Sequence, residues 1–98
     1  MRDIQHPLIE QITLSSFLHA LSDPVRLDIV RQLAKGDALT CGQLAPNRPK
    51  SSMSHHFKIL RDAGLIRTEP RGKEHYNSLR RREIDIRFPG VLSSVLAI

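Results

Sequence analysis

Between Leu44 and Lys50 the chain reads Ala-Pro-Asn-Arg-Pro, and no helix crosses such a stretch. Proline lacks the N–H that a helix interior requires, and its ring collides with the preceding turn. The apolar spacing on both sides is helical, so the break predicts two helices joined by a tight turn over about residues 40–63, a helix-turn-helix. The first helix is short. Thr40 and Gln43 have the spacing of a capping box, with Leu39 and Leu44 placed as a hydrophobic staple across it. The second starts near Pro49 or Lys50 and runs to Ala63. Met53, Phe57 and Leu60 align on one face, Ala63 extends it, and Gly64 supplies a left-handed stop.

The flanking segments complete the pattern. Asp23 is an N-cap with Pro24 in the first turn and Gly36 as the stop, so Ser22 to Gly36 predicts a helix. Val25, Ile29 and Leu33 form its buried row, widened by Leu27, Val30 and Ala34; Arg26, Asp28, Arg31 and Gln32 are left for solvent or partners. Upstream, Pro7 opens a broad apolar stripe of Ile9, Ile12, Leu14, Phe17, Leu18 and Leu21, read as a helix over about 7–21. After Gly64 the period switches to two, predicting a hairpin over about 65–79 that turns around Arg71-Gly72-Lys73. Pro70 fits an edge strand, which needs no ladder donor there. The last segment, broken at Pro89, ends in an apolar helix over about 89–97 bearing Val91, Leu92, Val95 and Leu96. The expected fold class is mainly α with a β-hairpin (α+β), one domain over residues 1–98.

Charge narrows the function. Residues 1–49 hold five basic and five acidic side chains, whereas residues 50–98 hold ten basic and five acidic, so the whole net charge of +5 lies in the second half. A basic excess confined to one half of a small domain is the footprint of a polyanion-binding protein. The helix after the break carries Lys50, Ser51, Ser52, Ser54, His55 and His56 in its first two turns. Serine and histidine are mediocre helix formers, so their presence implies something to touch. A helix end favours phosphate, and a helix in the major groove reads bases mainly through its N-terminal residues. His56, three residues after Met53, has two open readings: a DNA contact, or a structural residue at the core edge bonded to the turn helix.

Other classes fit poorly. No apolar run approaches the ~20 residues of a membrane span, the charged, proline-containing N-terminus predicts no signal peptide, and the single cysteine, Cys41, suits a reducing compartment. The expected location is cytoplasmic. No phosphate loop, carboxylate cluster or nucleophile elbow predicts an enzyme. At 98 residues such a chain buries only roughly 60–65% of its unfolded surface, which makes a homodimer plausible.

The segments ALSDPVRLDIVRQLAKG, LTCGQLA and SSMSHHFKILRDAGLI, with the closing HYNSL, resemble the ArsR/SmtB family of bacterial winged helix-turn-helix repressors from about Phe17 to Leu79. The resemblance implies a homodimer built from the first and last helices, assigning Ile9, Ile12, Phe17, Val91, Leu92, Val95 and Leu96 to the interface. It implies double-stranded operator DNA as partner, contacted by Lys50, Ser51, Ser52, Ser54 and His55, with Arg71 and Lys73 of the wing reaching the minor groove or flanking phosphates. The operator would be an inverted repeat, and binding would repress. The chain departs from its metal-sensing relatives: one cysteine is too few for a thiolate site, and no histidine follows His75, so no metal or other cofactor is expected. Cys41, at the first helical position after the Thr40 cap, is either a possible redox sensor or a packing residue; the effector is otherwise unknown, a small molecule being the other option. The competing function is a winged-helix module that binds protein without sequence-specific DNA binding.

Overall fold

The computed structural model describes residues 4–98. Its helices are α1 (Leu14–Leu21), α2 (Pro24–Leu33), α3 (Cys41–Leu44), α4 (Lys50–Asp62), α5 (Arg81–Arg87) and α6 (Val91–Leu96), with strands β1 (Leu39–Thr40), β2 (Ile66–Arg71) and β3 (Glu74–Leu79). The caps act as their residue types dictate. The Asp23 carboxylate accepts from the backbone N–H groups of Val25 and Arg26 at 2.8 and 3.2 Å. The Thr40–Gln43 capping box closes in both directions.

The strands form an antiparallel sheet in the order β1-β3-β2. The β2–β3 hairpin pairs Ile66 with Leu79 and Arg71 with Glu74, so Gly72 and Lys73 make its tip. Strand β1, two residues long, pairs Leu39 with Asn77 and Thr40 with Tyr76. It has no sequence signal of its own, because two residues show no period. A polar pin holds the joint. Asn77 is fully buried; it accepts from the Thr68 hydroxyl at 2.7 Å and donates to the Leu39 carbonyl at 3.3 Å and to the Cys41 sulfur at 3.4 Å. The wing is thereby fixed to the start of α3.

Three expectations need correction. The stripe from Pro7 to Leu21 is not one helix: a single 3₁₀ turn (Ile9–Gln11) gives way to extended backbone at Ile12 and Thr13. The Thr13 hydroxyl then caps α1 by accepting from Ser16 N–H at 3.2 Å. The extension drives Ile12 into the core against Gly64, where a Cβ would lie 2.7 Å from Ile12 Cγ1. Gly64 also has φ +77°, so this position needs glycine on both counts. Second, Ile12, Phe17 and Leu92 do not face a dimer seam. They are buried within one chain, Phe17 packing on Phe88 with ring centroids 5.0 Å apart. Third, Arg26 is buried rather than left for solvent. The arginine-rich run before Pro89, on which the sequence set no expectation, is helical, with Ile84 buried on its inner face.

The N-terminal arm crosses the free edge of β2. His6 Nε2 accepts from the backbone N–H of Thr68 at 2.9 Å, and Arg80 donates to the Pro7 carbonyl at 2.9 Å. Burial, and then the nearby charges of Arg67, Arg80 and Arg61, hold His6 below its ordinary value of 6.5. The unfolded chain therefore takes up this proton first. The resulting stability is complete above about pH 6.5 and is lost as pH falls below it. Urea unfolding at stepped pH is expected to show wild type losing more stability than His6→Gln between about pH 7 and pH 5.

Candidate nucleic-acid interface

Helix α4 divides cleanly by face. Met53, Phe57 and Leu60 are buried, while Lys50, Ser51, Ser52, Ser54, His55 and Lys58 are exposed. No side chain caps its N-terminus at Pro49, so the first-turn N–H groups remain open to an external acceptor. The Ser52 and Ser54 hydroxyls donate back to the carbonyls of Pro49 and Lys50 at 3.1 and 2.9 Å. That bond fixes each oxygen and leaves its lone pairs outward.

Between α3, the first turns of α4 and the wing tip lies a cleft of about 550 Å³. Arg48, Lys50 and Lys73 line it, together with Ser54 and His75; Glu74 is the one carboxylate among the described residues around it. None of those three cations forms an ion pair among the described residues. Other cations are engaged. Lys58 pairs with Asp62 at 2.7 Å. Arg71 lies 3.9 Å from Glu69 and stacks over the Tyr76 ring at 4.7 Å from its centroid. Cations left unpaired around a concave wall suit a chain of phosphates.

The sequence-predicted residues thus separate. Lys50, Ser54 and Lys73 share the cleft, Ser51, Ser52 and His55 extend the exposed α4 surface, and Arg71 stands apart on the wing strand. His56 is turned inward: its Nδ1 lies 3.2 Å from Arg26 on α2, not against α3. Of its two readings, the geometry supports the structural one, with a different partner. Arg48 was missed by sequence reasoning. The signal was present, since it is the basic residue inside the proline-bracketed turn, and a turn between two reading elements faces what they face.

A family model described as a helix-turn-helix domain matches residues 21–69. The chain is 40% identical over 79 residues to the HTH-type transcriptional regulator YceK of Bacillus subtilis (strain 168), covering 78% of this chain and 79% of that one. It is 36% identical over 73 residues to the arsenical resistance operon repressor of Staphylococcus xylosus, covering 74% and 70%. The chain belongs to the ArsR/SmtB family of winged helix-turn-helix repressors. The crystal structure of the ArsR family transcriptional regulator RHA00566 superposes with a TM-score of 0.69 at 25% identity, covering 92% of this chain and 91% of that one.

In this ArsR/SmtB-family chain α3 and α4 form the helix-turn-helix, and the β2–β3 hairpin is the wing. The relatives are transcriptional regulators, not enzymes. Among the described residues, no three histidine, cysteine or acidic side chains converge as metal ligands. Cys41 is half-buried on the lining of the cleft, where its sulfur accepts from Asn77.

Proposed function

We propose that this protein is a homodimeric repressor that reads an inverted-repeat operator with α4 and grips the flanking backbone with the wing. The observation that carries this reading is the cleft in which Arg48, Lys50 and Lys73, all without ion-pair partners among the described residues, meet beside the exposed end of α4. The hydroxyls of Ser51, Ser52 and Ser54 and the ring of His55 are the groups that reach base edges or phosphate oxygens there. With two copies related by a two-fold axis, the reading helices enter successive major grooves about 34 Å apart. Cys41 lines the same cleft, so an adduct on it would crowd bound DNA, while its contact with Asn77 suits a packing residue.

The seam in this reading keeps Val91, Val95 and Leu96 of the expected interface and takes Leu14 and Leu18 from the N-terminal apolar stripe in place of the buried Ile12, Phe17 and Leu92. Leu14 and Leu18 of α1 are 47% and 43% exposed, either side of the buried Phe17. Phe17 packs on Phe88, which leads into α6, where Val91, Val95 and Leu96 are half-buried. This apolar surface is what a second copy would cover. Leu14→Asp with Leu18→Asp is expected to yield a folded monomer, checked by sedimentation and circular dichroism at micromolar concentration. An unchanged dimer would move the seam elsewhere.

The test of the reading is selection of bound duplexes from genomic fragments, followed by a salt titration. A repressor of this kind enriches an inverted repeat, and its affinity falls with a log–log slope of about −0.9 per phosphate contacted. Enrichment of no site, with no salt dependence, would leave the fold without this function.

A further inference from the structure

The buried guanidinium of Arg26 joins three helices. Its Nε donates to the Ala20 carbonyl at 2.8 Å and its Nη2 to the His19 carbonyl at 3.3 Å, both at the end of α1. Its Nη1 meets His56 Nδ1 on α4 at 3.2 Å. The Asp23 carboxylate that caps α2 lies 3.9 Å from His56 Nδ1. Arginine has donors only and stays protonated. In this hydrogen bond His56 therefore accepts at Nδ1, which places its proton on Nε2.

We propose that Arg26 and His56 are positioning residues for DNA reading: their hydrogen bond sets the rotation of α4 about its own axis, and His56 does not contact DNA. This rests on the reading of α4 as the operator-binding helix. The rest of the inner face of α4 is Met53, Phe57 and Leu60, and apolar contacts fix how deep a helix sits better than how it is rotated. A hydrogen bond is directional. A reading helix must hold its angle within about 10–20° for side chains to meet base edges, and His56 directly follows His55 on the exposed face. The same guanidinium also grips the end of α1, whose outer face bears Leu14 and Leu18. One side chain thus links the helix proposed to set the half-site spacing to the helix that reads each half-site.

Two measurements test this. Long-range ¹H–¹⁵N correlation on the free protein is expected to show His56 at neutral pH as the Nε2–H tautomer; an Nδ1–H tautomer overturns the proposal. The second compares His56→Leu with His56→Asn, whose Oδ1 occupies nearly the place of Nδ1, on the selected operator and on a random duplex. His56→Leu is expected to lower the ratio of operator to random affinity by about tenfold or more, the scale of a lost hydrogen bond to a charged group, with the salt slope unchanged. His56→Asn is expected to stay within about threefold of wild type. An unchanged ratio in His56→Leu, or a drop accompanied by the loss of about one phosphate per protomer from the salt slope, overturns the positioning role. Failure of the operator reading is distinguishable, because wild type itself then shows no preference between the two duplexes.

Discussion

Alanine at Arg48, Lys50 and Lys73 together removes six phosphate contacts from a two-fold dimer and is expected to weaken binding to duplex DNA about 10⁴-fold at 0.15 M salt and to flatten the log–log salt slope by about 5. Each phosphate neutralised releases close to one condensed counterion, which at this ionic strength is worth about fivefold in affinity. The six contacts of the dimer multiply, because each cation reaches the backbone independently and none is tied to a carboxylate among the described residues. All three side chains are exposed, so the fold should be unaffected and the thermal midpoint should hold. Arg71→Ala provides the comparison. Its guanidinium is already shared with Glu69 and the Tyr76 ring, so its loss should move the slope less than any member of the triple. Binding by the triple variant with the wild-type slope would show that DNA does not enter this cleft.

Phe17→Ala is expected to cost about 3–5 kcal/mol of folding stability and to lower the thermal midpoint by roughly 15–25 °C. Phe17 is fully buried and meets Phe88 ring to ring, so truncation leaves a cavity that α2 and the fixed Phe88 ring fill only in part. Urea unfolding at two protein concentrations separates this from the seam role that the sequence suggested. A core residue lowers stability by the same amount at both concentrations, whereas a seam residue acts mainly through dimer dissociation and has a concentration-dependent effect. The expected magnitude is a large share of what a domain of this size possesses.

Where structure depended on neighbours within one or two turns, the sequence was explicit. Asp23 with Pro24 and Thr40 with Gln43 each started a helix where their side chains predict. The prolines at 46 and 49 broke the chain once, Gly64 stopped α4, and the change of period marked the wing. The exposed polar end of α4 followed from Met53, Phe57 and Leu60 taking the opposite face. The resemblance carried by the same segments pointed to the ArsR/SmtB family before any tertiary contact was known, and the relatives established it.

Sequence by itself thus determined α2, α3, α4 and the hairpin, their order and the face of α4 turned to solvent, since capping, proline geometry and apolar period are settled inside a single turn of chain. Only the tertiary structure decided which of two apolar neighbours went inward, burying Phe17 and exposing Leu18. It alone made Arg26 a buried bridge, turned His56 away from the surface and brought Arg48 opposite Lys73. These outcomes depend on partners 25 or more residues distant in the chain, such as Phe88 for Phe17 and His56 for Arg26. No periodicity encodes such a meeting; the packing of one element on another does.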